Sequence, residues 1–137
     1  MANSTTIYQL PDGRNAVNVT ENKTLAIKDC GVVQNVITDG LNITLPSTAA
    51  GLTFTMRNGG VPKTNGPAGT GDDESAIVKI TPAAADFIAG HELTASDADS
   101  INNTKATAKV GDEIQLIAAT DGWSIVYSKG TWAQIAI

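Results

Sequence analysis

Alternation between apolar and polar residues over 33–56, interrupted at 39–40, 46 and 51, is the feature that most constrains the fold of this chain. Leu41, Ile43 and Leu45 are separated by single polar residues, and the same alternation returns over 52–56. Because successive side chains of an extended strand point to opposite faces, a period of two is typical of half-buried β-strands. The stretch therefore predicts several short strands.

A second alternating block, 110–137, predicts the same kind of structure near the other end of the sequence. Trp123, Ile125 and Tyr127 occupy every second position, so we expect their side chains to share one face of a strand. In the first block, Asp39-Gly40 is expected to close a tight two-residue turn, for which glycine supplies a positive φ.

Length and pattern together predict one small all-β domain. A chain of 137 residues is long enough for a single hydrophobic core. About ten short strands separated by turn residues are typical of an antiparallel β-sandwich or of a barrel-like, jelly-roll-like fold. Only 82–86 predicts a helix, of one turn at most, because Thr81 precedes it as a candidate N-cap and Pro82 suits the first helical position.

The sequence divides into an arm and a β domain with one long loop. Residues 1–14 hold few large apolar groups and predict a short N-terminal arm, which either docks on a neighbour or frays. Residues 15–137 are expected to form the β domain. Within it, 58–74 is rich in glycine and has almost nothing apolar to bury, which predicts an exposed loop.

The charge distribution excludes two classes of partner. The chain has a net charge of −5, and its nine lysine and arginine residues are scattered without a run. Nucleic acids and anionic membranes are bound by clustered basic faces. The sequence has no apolar run of the roughly 20 residues that span a membrane, and its first residues do not have the pattern of a signal peptide. We expect a soluble chain that binds neither nucleic acid nor membrane.

The sequence also contains no recognisable catalytic or metal-binding pattern. Its only cysteine, Cys30, and its only histidine, His91, are far apart, and the acidic run 72–74 lacks the ligand spacing of a calcium loop. Nucleophilic catalysis requires a base beside the nucleophile. We therefore expect no catalytic residue, no metal and no cofactor, and we predict that the chain is not an enzyme.

Three sequence motifs of the chain resemble those of a known family. The first motif, in residues 38–46 and 50–55, is Leu-Pro followed by small residues and then by a glycine that precedes an apolar-x-Phe tripeptide. The second is Ile-Ala-Gly at the end of 86–90. The third, in 111–117 and 121–123, is Gly-Asp followed by an apolar strand and then by Gly-Trp. Together they resemble the capsid decoration proteins of tailed bacteriophages, also called head-stabilising or cement proteins. The resemblance covers about residues 16–137 and consists of turns and strand edges.

The resemblance implies a structural role on a virion. Proteins of this family bind the outer surface of an expanded icosahedral shell, often as trimers at local three-fold positions, and strengthen it. The partner would be the major capsid protein, and the chain would be made in the host cytoplasm and reside on the outer capsid surface. Similar motifs occur in phage tail-fibre, spike and head-fibre modules, so a module that binds a host-surface glycan is the alternative. A small neck or tail-tube adaptor is a third interpretation.

Candidate contacts with the capsid or with a sister subunit come from three regions. The arm offers its few large apolar groups, the glycine-rich loop and its start offer basic groups, and the last strand offers a tryptophan that either packs between subunits or belongs to the core. The candidate residues are Ile7, Tyr8, Leu10, Arg57, Lys63 and Trp132.

Overall fold

The structure is a computed structural model, and it describes residues 3–38, 40–48, 51–60, 78–90, 99–103 and 108–135. These residues form twelve strands and a single 3₁₀ turn, Ile27–Asp29. The strands are β1 (Tyr8–Gln9), β2 (Asn15–Val19), β3 (Lys23–Thr24), β4 (Val32–Val36), β5 (Leu41–Thr44), β6 (Thr53–Asn58), β7 (Val78–Thr81), β8 (Phe87–Ala89), β9 (Ser100–Asn103), β10 (Glu113–Ala118), β11 (Gly122–Lys129) and β12 (Trp132–Ile135).

The strands form a sandwich of two sheets, which confirms the predicted all-β class. The seven-stranded sheet has the order β1-β2-β4-β6-β10-β11-β8, and the five-stranded sheet has the order β12-β9-β7-β5-β3. The inner faces of both sheets supply one continuous core. The N-terminal arm belongs to this architecture, since β1 pairs with β2 at the edge of the larger sheet.

Both sheets are mixed, so the expectation of purely antiparallel pairing was wrong. Parallel pairs join β2 to β4, β4 to β6, β3 to β5, β5 to β7 and β8 to β11. The cause is the path of the chain, because successive strands from β2 to β10 belong alternately to the two sheets. A chain that crosses the sandwich and returns lays the next strand of the same sheet in the same direction. Residue alternation reports which face a side chain occupies and carries no information about the direction of the neighbouring strand.

Two local predictions also need correction. Gly40 has the expected positive φ of +79°, but β4 and β5 lie in different sheets, so the turn crosses the sandwich and closes no hairpin; Asp39 lies outside the described residues. Residues 82–86 form a turn and not the predicted helix. In this turn the Asp86 N–H donates to the Ala83 carbonyl at 2.9 Å. Five residues separate β7 from β8, and they carry the chain from one sheet to the other.

The core is aliphatic with one aromatic pair at its centre. Trp123 on β11 and Phe54 on β6 are 0 % and 1 % exposed, and their ring centroids lie 5.4 Å apart with a tilt of 46°. The side chains packed around them include Leu25, Val36, Ile43, Leu45, Met56, Ile80, Ile88, Ile101, Ile114 and Leu116.

A β-bulge in β11 changes the face of its second half. Gln115 pairs with Tyr127 and Leu116 pairs with Ile125, so Val126 is an extra residue opposite one position of β10. The extra residue reverses the alternation. Ile125 therefore packs against the core, whereas Tyr127 is 48 % exposed on the outer face. The prediction that Tyr127 shares a face with Trp123 was wrong for this reason.

A buried polar cluster joins the two sheets at one end of the sandwich. Asn58 on β6 donates from Nδ2 to Asn103 Oδ1 on β9 at 2.8 Å, and Asn103 donates from Nδ2 to Asp112 Oδ2 at 3.0 Å and to the Thr131 carbonyl at 3.2 Å. Lys109 N–H also donates to Asp112 Oδ2 at 3.0 Å. We call Asn58, Asn103 and Asp112 the buried clasp. It connects the sheets at a point where the apolar core ends.

Candidate functional site

A row of polar residues crosses the outer face of the seven-stranded sheet. The strand register aligns Asn18, Asn35, Arg57, Glu113 and Lys129 across β2, β4, β6, β10 and β11. Their neighbours along each strand point to the core, because side chains alternate between the faces of a sheet. We call this outer surface the polar face.

Hydrogen bonds tie the N-terminal arm to this face. Tyr8 on β1 donates its hydroxyl proton to Asn18 Oδ1. Asn35 Nδ2 donates to the Tyr8 hydroxyl oxygen at 3.1 Å and to Asn18 Oδ1 at 3.2 Å. Arg57 Nη1 donates to Asn35 Oδ1 at 2.9 Å. The arm residue Tyr8 and the strand residue Arg57 are therefore two ends of one network.

An ion pair links the start of β2 to β10 across the same face. Arg14 donates through Nη1 and Nη2 to the two carboxylate oxygens of Glu113, each at 2.9 Å, and Gln115 Nε2 donates to Glu113 Oε2 at 2.9 Å. Burial of Glu113 by itself raises the pKa of its carboxyl group. The hydrogen bonds from Arg14 and Gln115, with the charge of Arg14, outweigh burial, and the pKa is lower than the ordinary 4.5.

This ion pair makes the stability of the fold sensitive to acid. Because the pKa of Glu113 is lower in the folded chain than its ordinary 4.5, its contribution is complete above that value and is lost as the pH falls through the folded pKa. We expect Glu113→Gln to reduce stability by about 1 kcal/mol at neutral pH and to leave it nearly unchanged in acid. Thermal unfolding across this pH range measures the difference. The control Asp121→Asn changes an exposed carboxyl group. An equal deficit of Glu113→Gln at both ends of the range would contradict the assignment.

The polar face carries a cavity of about 510 Å³. It lies over β6, β10 and β11, and the half-exposed Tyr127 ring forms part of its wall. Its lining residues are Arg14, Arg57, Gly111, Glu113, Gln115, Tyr127 and Lys129. We call it the polar-face cavity.

A second cavity, of about 450 Å³, lies between the arm and the 3₁₀ turn. Asn3 holds this end of the arm in place, since its Oδ1 accepts from Thr20 N–H at 2.7 Å and from Glu21 N–H at 3.1 Å. Ile7 lines the cavity and is 56 % exposed; Ile27, which is 74 % exposed, precedes the lining residues Lys28 and Asp29. We call this cavity, with Ile7 and Ile27, the arm surface.

The structure distributes the predicted contact residues over several places. Ile7 belongs to the arm surface, and Tyr8 and Arg57 are joined through Asn35 on the polar face. Leu10 is partly buried, and its backbone closes a turn with the 13–14 segment. Lys63 lies outside the described residues, as does the glycine-rich loop from 61 onward.

Trp132 lies in the five-stranded sheet and is not among the lining residues of either cavity. It is partly buried against the core, and its indole N–H donates to the Lys129 carbonyl at 3.0 Å. Of the two interpretations of this residue, packing within its own subunit is the one that these contacts favour.

Sequence reasoning missed most of the polar face. Arg14 and Glu113 are 99 positions apart, and no local pattern connects them. Asn18 and Asn35 did offer a signal, since asparagine is uncommon in the middle of strands and therefore points to a specific polar environment. The outward direction of Tyr127 was missed because a β-bulge cannot be inferred from alternation.

Two further findings concern chemistry and membranes. Within the ranges that the structure describes, no three His, Cys, Asp or Glu side chains lie close enough together to hold a metal ion. Within the same ranges, no helix has the length and apolar character needed to cross a membrane.

Comparison of the chain with protein-family models, with curated proteins and with solved structures finds no match. The fold and the two surfaces define the chain as an all-β sandwich with a hydrogen-bonded polar face and an arm surface that includes two exposed isoleucines.

Proposed function

We propose that this chain is a structural protein of a phage virion that binds the outer surface of the icosahedral capsid through its arm surface. The observation that carries the proposal is the exposure of Ile7, which lines a cavity on an arm that hydrogen bonds hold in place. Ile27 of the 3₁₀ turn is also exposed and directly precedes the lining residue Lys28. Apolar surface that is exposed beside polar residues marks contacts with another macromolecule. A surface that is already ordered loses little conformational entropy on binding.

The edge of the larger sheet supports the same proposal. β1 is the outermost strand, and only β2 pairs with it among the described strands. An edge strand can accept a further strand from a neighbour through backbone hydrogen bonds. The arm therefore offers both an apolar anchor, Ile7, and a backbone template to the major capsid protein or to a sister subunit of a trimer.

The sequence motifs that resemble decoration proteins lie at turns and in the core of the fold. Gly51 and Gly111 have φ of +85° and +99° at the turns before β6 and β10, and Phe54 and Trp123 form the central ring pair. The likeness therefore concerns residues that shape the sandwich. Its implied role, passive attachment in many copies, agrees with a net charge of −5, which keeps free subunits soluble before assembly.

A fibre or spike module that binds a host-surface glycan is the second candidate. The observation that favours it is Tyr127, an aromatic ring that is 48 % exposed in the wall of the polar-face cavity. Half-exposed aromatic rings give a sugar an apolar surface beside a polar rim.

The number of copies per virion separates the two candidates. Quantitative mass spectrometry of purified virions, with the major capsid protein as internal standard, measures this number. We expect hundreds of copies for a capsid decoration protein. A few to some tens of copies would favour a fibre, and complete absence of the chain would overturn the virion role.

Substitution of the exposed isoleucines tests the arm surface. We expect Ile7→Ser and Ile27→Ser each to weaken binding to capsids that lack the protein by about tenfold or more, because a buried isoleucine contributes about 1.5–3 kcal/mol. The melting temperature should change little, since both side chains are exposed in the free chain. Co-sedimentation with capsids measures the binding.

The matched control is Val110→Ser. Val110 is 48 % exposed and lies at the turn before β10, outside the arm surface. The Val110→Ser variant should bind capsids with the affinity of the unsubstituted chain. Unchanged binding by both isoleucine variants would refute attachment through the arm surface.

A further inference from the structure

The polar-face cavity concentrates positive charge in an acidic chain. The sequence contains only two arginines, Arg14 and Arg57, and both line this cavity together with Lys129. Glu113 is the only carboxylate among its lining residues, and Arg14 Nε also pairs with Asp12 Oδ2 at 2.8 Å, so the three cations exceed these two carboxylates by one in a chain whose net charge is −5. A concave site with this local excess attracts an anionic ligand.

Two of the three cations are available to a ligand. Both Nη atoms of Arg14 are engaged by Glu113. Arg57 uses Nη1 for Asn35, and its guanidinium makes no second hydrogen bond to the described residues. The ammonium group of Lys129 has no hydrogen bond or ion pair within the same part of the chain. The register places Arg57 and Lys129 on the two strands that flank β10, with α-carbons roughly 10 Å apart.

The remaining lining groups suit the ring and hydroxyl groups of a sugar. The bulge at Val126 turns the Tyr127 ring out of the core and into the wall of the cavity. The register places Gln115 directly opposite Tyr127. The amide oxygen of Gln115 is an acceptor for a hydroxyl proton. The cavity volume of about 510 Å³ lies in the range of small-molecule sites.

We infer that the polar-face cavity binds a sugar that carries a carboxylate, such as a uronic acid unit of a surface polysaccharide. Arg57 and Lys129 hold the carboxylate, the sugar ring lies against Tyr127, and the amide oxygen of Gln115 accepts from a hydroxyl group. An acidic peptide would use the two cations but would leave the tyrosine ring without a role.

This binding activity is separate from attachment to a capsid. Asn18 of the polar face and Val17 of the arm cavity are successive residues of β2, so the two surfaces lie on opposite sides of that strand. A subunit bound through its arm surface keeps the polar-face cavity open. Sugar binding is measured on the free chain, so its failure is distinguishable from failure of the virion role.

Nuclear magnetic resonance titration of the full chain tests the inference, with glucuronate as the probe and glucose as the neutral comparison. We expect glucuronate to shift the amide signals of Gly111, Gln115 and Tyr127, with a dissociation constant of about 1 mM, as is usual for a ligand of this size. Glucose should bind about tenfold more weakly, because it lacks the group that pairs with the cations.

Two variants and a matched control locate the site. Lys129→Gln and Tyr127→Ser should each weaken glucuronate binding by about tenfold. Lys109→Gln removes an exposed lysine outside the cavity and should leave binding unchanged. The dispersion of the amide signals shows whether each variant is folded.

Three results would overturn the inference. The first is the absence of glucuronate-dependent shifts at these amides, and the second is equal binding of glucose. The third is binding of a triglutamate peptide tenfold tighter than glucuronate, which would assign the cavity to an acidic protein segment.

Discussion

Trp123→Ala is expected to destabilise the sandwich by about 3–5 kcal/mol, which is a large part of the stability of a domain of this size. Trp123 is fully buried, contacts Phe54 at a centroid distance of 5.4 Å, and pairs with Ala118 of the adjacent strand. Alanine would leave a cavity between the two sheets that neighbouring side chains fill only in part. We expect the melting temperature, followed by circular dichroism, to fall by about 10–20 °C.

Two other substitutions define how this result is interpreted. Trp123→Phe keeps a ring against Phe54 and removes an indole N–H that is buried without a partner in the described part of the chain, so it should cost less than Trp123→Ala. Trp132→Ala removes the second tryptophan, which is only partly buried, and should also cost less. A loss below about 1 kcal/mol for Trp123→Ala would refute its central place in the core.

Asn103→Leu is expected to destabilise the fold by about 3 kcal/mol, although leucine is similar in size to asparagine. Asn103 is 0 % exposed and accepts from Asn58 while donating to Asp112 and to the Thr131 carbonyl. Leucine would remove all three hydrogen bonds, and each buried polar group that loses its partner costs about 1–3 kcal/mol. Urea denaturation measures the change.

The preceding residue provides the control for this prediction. Asn102 lies on the opposite face of β9, and its Oδ1 is buried without a partner among the described residues. Asn102→Leu therefore removes a polar oxygen that is already unsatisfied, and it should change stability by less than about 1 kcal/mol. Equal losses for the two variants would show that the buried clasp contributes nothing specific.

The buried clasp also positions the polar-face cavity. Asp112 precedes Glu113, and the backbone of Asn58 donates to the Asp112 carbonyl at 2.7 Å, so the start of β10 is held against the end of β6. Gly130 follows β11 at φ +94°, and a β-carbon there would lie 2.2 Å from Asp112 Cγ. Glycine is required at this position because the clasp carboxylate occupies the space that a side chain would need.

Local sequence patterns determined the all-β class and most of the core of this protein. Alternation places Leu41, Ile43 and Phe54 on inner faces, because side-chain direction in a strand depends only on position along that strand. The positive φ of Gly40 also depends on the residue itself, because glycine has no β-carbon that would disfavour this conformation.

Only the tertiary structure decided the direction of neighbouring strands, the location of the clasp and the composition of the polar face. The chain passes repeatedly from one sheet to the other, and this path brings distant segments side by side. It explains the contact of Arg14 with Glu113 and the contact of Asn58 with Asn103. The single extra residue Val126 then turns Tyr127 outward. These features depend on pairing between strands that are remote in sequence, and the free energy of such pairing is a property of the assembled sandwich and of no single segment.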